Sequence, residues 1–344
     1  MHISEFDYEL PDDLIAQQPL AERDASRMLV LDRQNERWID STFTEFPTHL
    51  RADDVVVVNN SRVIPARLSG RRHETGGAVE IFLVREIEPQ VWEALVRPGG
   101  RLREGAKVVF GEGKLIAELL DQPGHELRRV RFHCDGPFEQ ILTELGSTPL
   151  PPYIKRPEGE SAKDRERYQT VYSKNPGAIA APTAGLHFTD AVLQNVKSRA
   201  AVAEVTLHVG YGTFEPVRVD DVDHHSVSSE PYAISAASAD AINRARDKGG
   251  RVIVVGTTTM RALESSATED GRVIAGSGEA DLTIKPGYRF RVAGALLTNF
   301  PLPRSSLLVL VSAFAGRELV LRAYRHAVQQ RYRFYSYGDC MFIL

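Results

Sequence analysis

The chain has 344 residues, 42% hydrophobic and 26% charged, which predicts a globular protein of two domains rather than one small core. Its net charge of -4 and pI of about 6.2 exclude a protein that is basic throughout, and two cysteines, Cys134 and Cys340, exclude a disulfide framework and fit a reducing compartment. Without an apolar signal core or an apolar run of about 20 residues, we expect a cytoplasmic protein with no membrane segment. We also expect a monomer.

The first 60 residues show short elements of both kinds. A short helix is predicted at 12–16, a strand at 27–32 and a second short helix at 43–50. Residues 54–60 begin with Asp and continue as four valines and two asparagines, a β-branched run typical of a fully buried strand.

Residues 61–146 have a different pattern, with short alternating runs separated by Gly and Pro turns. Such spacing is typical of a sandwich or a small barrel, and we interpret it as a barrel inserted between two parts of a larger domain. A helix at 138–146 leads out of it. The predicted strands are 66–70, 78–84, 91–96, 107–110, 115–119 and 127–132.

Helices and strands alternate after residue 189, which indicates an α/β layer around a buried sheet. We therefore predict a mixed α/β main domain, residues 1–60 plus 147–344, with an inserted small antiparallel β-barrel domain, residues 61–146. The apolar run 306–315 fits a buried strand or a helix. The other predicted elements are helices from 190, 236–248, 256–266 and 318–332, and strands 201–208, 251–255 and 289–297.

Residues 175–189 form a stretch of small side chains with two prolines, two glycines and one histidine, His187. Proline fixes φ and glycine permits unusual backbone angles, so the loop is rigid and lets a ligand approach its backbone. Thr189 is the predicted N-cap of the following helix. We place the centre of the active site here, with Thr183 and Gly185 beside His187.

Two further loops follow predicted strands, where ligands of open α/β sheets collect. In the loop 59–67, Asn60 could hydrogen-bond a base or a ribose, and Arg62 could bind a phosphate or a carboxylate. A simple turn with solvated arginines explains this sequence equally well. In 208–216, His208, Gly210 and Gly212 form a tight turn in which Tyr211 would cover a ligand. The turn lacks the third glycine of a dinucleotide fingerprint, and His208 alone fits a structural role better than a catalytic one.

Two more loops carry polar residues after apolar runs. Thr257 and Thr258 open a helix whose N-terminus favours an anion, with Arg261 in the first turn; a capped helix with a surface arginine explains them equally well. Asn299 follows a further predicted strand. In the aromatic tail, core packing explains Phe334 and Phe342, but it explains Asp339 less well; Tyr337 lies beside it.

Other catalytic machinery is missing from the sequence. It contains no phosphate-binding Gly-x-x-x-x-Gly-Lys-Ser/Thr loop, no His-Glu-x-x-His, no Cys-x-x-Cys and no Gly-x-Ser-x-Gly. His224 and His225 stand near three aspartates, but such charged clusters are usually solvated loops. We therefore expect no metal.

Taken together, these segments resemble the S-adenosylmethionine:tRNA ribosyltransferase-isomerase family of queuosine biosynthesis, nearly end to end. The longest shared motif is Pro-Gly-Ala-Ile-Ala-Ala-Pro-Thr-Ala-Gly-Leu-His-Phe at 176–188. Others lie at 6–11, 59–67, 149–154, 168–172, 206–214, 255–258, 311–316 and 335–339. The resemblance implies a β-barrel inserted into an α/β domain. It also implies S-adenosylmethionine as a ribosyl donor co-substrate, and a tRNA whose wobble base is 7-aminomethyl-7-deazaguanine as the acceptor, giving epoxyqueuosine-tRNA, adenine and methionine.

That chemistry needs a base for the C5′ proton beside the sulfonium, an acid for departing adenine and a proton acceptor for the amine. With an unperturbed pKa near 6.5, His187 would serve as one acid or base. Glu230 and Asp339 are candidates for amine deprotonation or sulfonium pairing, and Arg261 for the methionine carboxylate. The candidate ribose, base and pocket contacts are Asn60, Arg62, Thr183, Gly185, His208, Gly210, Gly212, Thr257, Thr258, Asn299 and Tyr337.

A tRNA substrate needs basic surface, and the barrel region supplies it. The candidates for phosphate contacts are Arg71, Arg72, Arg101, Arg103 and Arg129; scattered solvated charges are the alternative. The wobble base would have to be splayed out to reach the pocket.

The sequence departs from the family pattern at two places. Val227 and Ser228 stand where His-x-Met-His-x-Glu has its Met and second His, and Pro301 stands where Thr-Asn-Phe-His-Leu-Pro has its His. Either these histidines are dispensable, or the chain has diverged, in the extreme to a non-catalytic tRNA-binding protein of the same fold. An S-adenosylmethionine or nucleoside enzyme acting on a small molecule is a third possibility.

Overall fold

In a computed structural model, the chain forms one large mixed sheet covered by helices and one small closed barrel. The structure describes residues 1–100, 102–156, 159, 161–210, 212, 217 and 219–344. Arg101 and Tyr211, both singled out from the sequence, lie outside the described residues.

The described part of the chain contains strands and α-helices that alternate mainly after residue 175. The strands are β1 (Arg27–Asp32), β2 (Arg37–Thr42), β3 (Val55–Asn59), β4 (Ser61–Val63), β5 (Arg67–Arg72), β6 (Ala78–Glu88), β7 (Val91–Arg97), β8 (Lys107–Phe110), β9 (Leu115–Leu119), β10 (Arg128–Cys134), β11 (Gly146–Ser147), β12 (Asn175–Ala178), β13 (Ala201–Leu207), β14 (Glu230–Ile234), β15 (Val252–Val255), β16 (Gly276–Ala280), β17 (Ala295–Asn299) and β18 (Cys340–Ile343). The α-helices are α1 (Phe138–Leu145), α2 (Ala162–Arg167), α3 (Asp190–Arg199), α4 (Ala236–Asp247), α5 (Thr257–Ser265), α6 (Ser306–Ala315) and α7 (Arg317–Gln329). Short 3₁₀ turns include Phe43–His49 and Thr183–His187.

The large sheet has nine strands in the order β16-β14-β13-β3-β15-β17-β18-β1-β2. Its centre, β13-β3-β15-β17, is parallel, and β3 is buried along its whole length. A strand buried on both faces reads as a continuous β-branched run, which is why the four valines of β3 predict it from sequence. The strands β14, β16 and β2 flank this centre in antiparallel pairings.

Alternate residues of the central strands point to opposite faces, and each face packs on its own layer. Val55 and Val57 belong to the core under α4 to α7, whereas Val56 and Val58 belong to the core under α3 and the Phe43–His49 turn. The side chain of Thr189 accepts a hydrogen bond from Val192 N, which confirms the predicted N-cap of α3. No helix within the described residues has the length and apolar character needed to cross a membrane.

The small sheet closes into a six-stranded antiparallel barrel. Its order is β5-β6-β7-β10-β9-β8, and β8 pairs back with β5 through Arg71 opposite Val109. Alternate side chains fill the interior, among them Leu68, Ile81 and Phe132. The barrel lies between β3 and β12 in the sequence, as the predicted fold class requires.

Several local predictions need correction. The strand predicted at 289–297 is confirmed only at its end: residues 289–294 are irregular, and β17 runs from Ala295 to Asn299. The run 306–315 is the helix α6. Ser61–Val63, inside the predicted barrel segment, pairs in parallel with β12 instead of joining the barrel. The division of the chain into domains at 60/61 and 146/147 stays a prediction.

Candidate active site

The carboxyl ends of the four central parallel strands meet at one edge of the large sheet, and the predicted loops follow them. Asn60 follows β3, His208 follows β13, Gly256 follows β15 and Phe300 follows β17. Because β14 and β18 run antiparallel to their neighbours β13 and β17, Glu230 and the 335–339 segment arrive at the same edge. The topology thus gathers at one edge loops that lie far apart in sequence.

A cleft of about 600 Å³ opens at this edge, and we call it the first cleft. Every described side chain that lines it is uncharged, with small residues, hydroxyl groups and three tyrosines. Its lining is Tyr153, Tyr168, Ala180, Ala181, Pro182, Thr183, Ala184, Val209, Gly256, Thr257, Thr258, Thr298, Asn299, Pro301, Leu307, Tyr335 and Ser336. A concave site that combines small, hydroxyl-bearing and aromatic side chains suits a nucleoside better than an ion.

Aromatic rings form one wall of the first cleft. The rings of Tyr153 and Tyr335 lie 4.0 Å apart between centroids, and the Tyr153 hydroxyl is hydrogen-bonded to Ser336 Oγ. Tyr335 has φ of 72°, an unusual angle for a bulky residue, and its amide donates to Phe300 O at 3.0 Å. Backbone strain of this kind is concentrated at functional sites, and an aromatic wall offers a face on which a base stacks.

One polar atom of the first cleft, Thr258 Oγ1, is buried without a hydrogen-bond partner in the described structure. The amide nitrogen of Asn299 is already engaged, because Nδ2 donates to Tyr335 O at 2.9 Å. Native proteins rarely leave buried polar groups unpaired unless a ligand or water meets them. Thr258 Oγ1 therefore marks a position where a polar ligand contributes a hydrogen bond.

A second, larger cleft of about 1460 Å³ separates the barrel from the sheet edge. Its barrel side is formed by Val84, Arg85, Glu86, Trp92, Glu93, Glu126 and Leu127, and its sheet side by Pro176, Gly177, His208, Val209, Gly210, Gly212, Ser228, Ser229, Glu230 and Pro231. Val209 lines both clefts. The two spaces therefore adjoin, so ligands in them would meet near Val209.

Glu230, predicted as catalytic, is buried and forms an ion pair with Arg261. Its Oε1 also accepts from the amide of Gly210 at 2.7 Å. Arg261 donates further to the carbonyls of Ser228 (2.9 Å) and Ala280, so it is a buried clamp and not the surface arginine considered as its alternative. The guanidinium holds Glu230 and the β14–β16 pair in place, which weakens its assignment to the methionine carboxylate.

His187 lies beneath the first cleft and does not line it. It is only 3% exposed, its Nδ1 is 2.9 Å from Ser26 Oγ, and its ring packs on Phe43. Burial lowers the pKa of His187 to about 4; interaction with the Asn299 side chain partly opposes this shift, and the charges of Arg333 and Arg23 add to it. The expectation of an unperturbed pKa near 6.5 is therefore wrong, and the ring is neutral at pH 7.

Asp339 and Tyr337 also lie away from the first two clefts. Asp339 is buried and accepts from the amides of Arg27 (2.9 Å) and Arg333 (2.8 Å), so it joins the start of β1 to the tail. Tyr337 packs edge-on against Tyr168, 6.0 Å away, with a buried hydroxyl for which the described residues provide no partner. Phe334 and Phe342 are fully buried, which confirms their predicted core packing.

The remaining predicted contacts divide between the clefts and the framework. Thr183, Thr257 and Thr258 line the first cleft, and Gly210 and Gly212 line the second. The other predicted contacts serve the framework. Asn60 accepts a hydrogen bond from Thr206 Oγ1 at 2.7 Å and donates one to Glu204. Arg62 is exposed and contacts Ser173, and Gly185 packs against Tyr172.

The barrel arginines do not form a single patch. Arg71 and Arg72 lie on β5 and Arg129 on β10, which is three strands away in either direction around the barrel. Arg71, Arg103 and Arg129 are exposed. The neighbouring Arg128 is instead buried and paired with Asp121 at 2.6 Å. At most part of the predicted set therefore faces one RNA molecule at a time.

Sequence reasoning missed Tyr153, Tyr168, Tyr335, Val209 and Arg85 as lining residues. The tyrosines and Val209 lie within the motifs of the family resemblance, which is the signal that was present; Arg85 has none. Among the described residues, no cluster of three or more His, Cys, Asp or Glu side chains is arranged to hold a metal. Pro301 lines the first cleft where the family pattern has a histidine, and its carbonyl accepts from Tyr8 Oη at 2.5 Å.

Comparison with known proteins gives a consistent result. The profile of a family described as queuosine biosynthesis protein matches residues 3–343. Proteins named S-adenosylmethionine:tRNA ribosyltransferase-isomerase are 48% identical in Desulforamulus reducens and 49% in Clostridioides difficile, each aligned over 100% of both chains. The crystal structure of S-adenosylmethionine tRNA ribosyltransferase from Thermotoga maritima is similar with a TM-score of 0.56 at 36% identity, covering 99% of this chain and 100% of that one.

Proposed function

The chain belongs to the queuosine biosynthesis protein family, and on that basis we propose that it is an S-adenosylmethionine:tRNA ribosyltransferase-isomerase. It uses S-adenosylmethionine as co-substrate and a tRNA as acceptor. In the finer form of the proposal, the acceptor is the aminomethyl group of 7-aminomethyl-7-deazaguanine at the wobble position. The products are epoxyqueuosine-tRNA, adenine and methionine.

The observation that supports this function best is the pair of clefts that adjoin at Val209. A transferase with a small donor and a macromolecular acceptor needs one confined site and one open site whose reacting atoms meet. The uncharged first cleft has the lining of a nucleoside site, and the larger second cleft opens between barrel and sheet, where a splayed-out base enters.

Each part of the donor has a proposed contact in the first cleft. The adenosine lies against the Tyr153–Tyr335 wall and hydrogen-bonds to Asn299 Oδ1 and Thr258 Oγ1. The methionine carboxylate meets the N-terminus of α5, whose first amides lack intrahelical partners and favour an anion. This assignment replaces Arg261, which is already bound to Glu230.

The two replaced histidines do not remove these features. Val227 and Ser228 lie in a third cleft beside Glu230 and Arg261, and Pro301 lines the first cleft. The unpartnered Thr258 Oγ1, the strained Tyr335 and the Glu230–Arg261 pair are all present without them. We therefore favour the active enzyme over a non-catalytic tRNA-binding protein.

The test is to incubate the protein with S-adenosylmethionine and tRNA bearing the aminomethyl base and to measure free adenine. Adenine release that requires the modified tRNA supports the proposed function. Binding of that tRNA without release would instead indicate a non-catalytic RNA-binding protein. Release without any tRNA would indicate an enzyme of small molecules.

A further inference from the structure

The attacking amine poses a problem that the predicted catalytic residues do not solve. A primary alkyl amine is largely protonated at neutral pH, and an ammonium group has no lone pair with which to form the new C–N bond. The acceptor base must lose a proton inside the second cleft. The group that takes this proton must lie in that cleft, be unprotonated beforehand and have a free nitrogen or oxygen.

We propose that His208 is the catalytic base that deprotonates the aminomethyl group of the acceptor nucleotide. This inference rests on the proposed function. It assigns a catalytic role to His208, for which the sequence alone favours a structural role.

The position of His208 meets the first requirement. It follows β13 directly, at the carboxyl end of the strand, and its ring lines the second cleft. The next residue, Val209, lines both clefts. A proton acceptor at residue 208 is therefore one residue away from the junction where donor and acceptor meet.

The ring is held by packing and not by hydrogen bonds. Gly177 has φ of 139°, and a Cβ added to it would lie 2.8 Å from Nδ1 of His208. This glycine therefore makes room for the ring. The Nδ1 atom is buried against Gly177 and is closed to the substrate, so Nε2 is the ring nitrogen that accepts the proton. No ion pair to His208 is present within the described residues. A functional histidine without a structural partner is available for one from the substrate.

The other candidates for the base fail one of these requirements. Glu230 is paired with Arg261 through Oε2 and accepts from Gly210 N through Oε1, so both of its oxygens are already engaged by the protein. Asp339 is bound by Arg27 and Arg333 outside the second cleft. His187 lies beneath Asn299 and lines neither the first nor the second cleft.

The surroundings of His208 favour its neutral form. Burial lowers the pKa of His208 below its ordinary value, so the imidazole is unprotonated at pH 7. From the packed elements, the charged groups that face the cleft are Arg85, Glu86, Glu93, Glu126 and Glu230; β12 contributes none. Arg85 pairs with Glu93 at 2.9 Å. The excess of carboxylates attracts a cationic aminomethyl group to this cleft.

The proposed step balances without a further reactant. One proton passes from the ammonium to the unprotonated ring nitrogen, giving a neutral amine and an imidazolium. The lone pair of the amine then forms the C–N bond to the ribosyl group, and adenine departs with the electron pair of its broken glycosidic bond and takes up a proton. The new secondary ammonium releases one proton to solvent. The imidazolium returns its proton to solvent before the next turnover.

The test compares His208→Gln, which retains most of the ring's volume beside Gly177, with the unaltered protein and with His326→Gln. His326 is paired with Asp40 at 2.9 Å on β2, at the opposite edge of the large sheet, and is the matched control. Ribosyl transfer to modified tRNA is measured from pH 6 to 9, and tRNA affinity is measured separately.

We expect His208→Gln to lower kcat at pH 7 by roughly 100-fold or more while tRNA affinity stays unchanged, since general bases contribute about 10²- to 10⁴-fold. Its rate should rise about tenfold per pH unit, because only amine that is already neutral reacts. His208→Ala should lose a similar factor and recover part of it with added imidazole.

Normal kcat and an unchanged pH profile in His208→Gln would contradict the inference but leave the proposed function intact. A fall in tRNA affinity that accounts for the whole loss would also overturn it. If the unaltered protein transfers nothing to modified tRNA, the proposed function fails, and the inference fails with it.

Discussion

Two adjacent threonines at the start of α5 show how single side chains divide between ligand and framework. Thr259 Oγ1 donates to Val255 O at 2.6 Å, whereas Thr258 Oγ1 is buried beside the first cleft without a partner in the described structure. The two residues have the same chemistry and neighbouring positions. Only their hydrogen bonds differ, so they form a matched pair for mutation.

We predict that Thr258→Val weakens S-adenosylmethionine binding about 3- to 10-fold without lowering the thermal midpoint, because the lost hydrogen bond is one to the ligand. Thr259→Val should lower stability by about 1 kcal/mol and leave affinity nearly unchanged. Calorimetric titration and thermal melts measure the two effects. The opposite pattern would remove Thr258 from the donor site.

His187 is a second residue with a measurable signature, which lies in the pH dependence of stability. Its pKa is about 4 in the folded chain and near 6.5 when unfolded. The unfolded chain therefore binds more protons between these values, and the contribution of His187 to stability falls as the pH drops from 6.5 towards 4. The full difference corresponds to roughly 3 kcal/mol.

We predict that His187→Gln is less stable than the unaltered protein at pH 7 but loses less stability between pH 7 and pH 4.5. Urea denaturation at several pH values measures this slope. His73→Gln, at an exposed barrel position, is the control and should keep the original slope. An equal acid decline in the His187 variant would contradict the buried neutral ring.

At the scale of elements, strong local patterns were enough for prediction and weak ones were not. Strand β1 is predicted by its apolar run, and the start of helix α3 is predicted by the Thr189 cap. Strand β16, Gly-Ser-Gly-Glu-Ala, has neither β-branched residues nor alternation, and it exists because β14 offers it an edge. Most of the strand predicted at 289–297 does not form, because this segment reaches the sheet only at its C-terminal end. The first hydrogen bond to the sheet there runs from Gly294 N to Val252 O.

The Thr183–His187 turn depends on a glycine for a packing reason. A Cβ on Gly185 would lie 2.0 Å from the Tyr172 hydroxyl oxygen, and Tyr172 is buried. We predict that Gly185→Ala lowers stability by about 1–3 kcal/mol, the usual cost of overpacking. Gly100→Ala, with open space around its Cβ, is the control. Equal thermal midpoints for the two variants would contradict this packing.

At the scale of the whole molecule, the site is assembled from distant segments. The first cleft joins Tyr153, Gly256 and Tyr335. Local sequence pattern predicts the loops and the sheet edge, but not which side chains of each loop face the cleft, since that depends on register and packing. For this reason the sequence predicts Asn60 and Asp339 as site residues, whereas in the structure their side chains bind the framework.

The barrel geometry makes a prediction about tRNA. Arg129 lies opposite Glu93, which lines the second cleft, and Arg71 lies three strands away. We predict that Arg129→Ala weakens tRNA binding and reduces the slope of log affinity against log salt by about 0.7–0.9, as loss of one phosphate contact does. Arg71→Ala is the matched control and should change neither. Equal effects would place RNA on both sides of the barrel.

The most direct measurement uses S-adenosylmethionine labelled either in its ribosyl group or in its methyl group, with tRNA carrying the aminomethyl base. A ribosyltransferase transfers ribose carbons and releases methionine, so ribosyl label should enter the tRNA and methyl label should remain in free methionine. Methyl label in the tRNA, or no label in it from either donor, would contradict the function proposed for the two adjoining clefts.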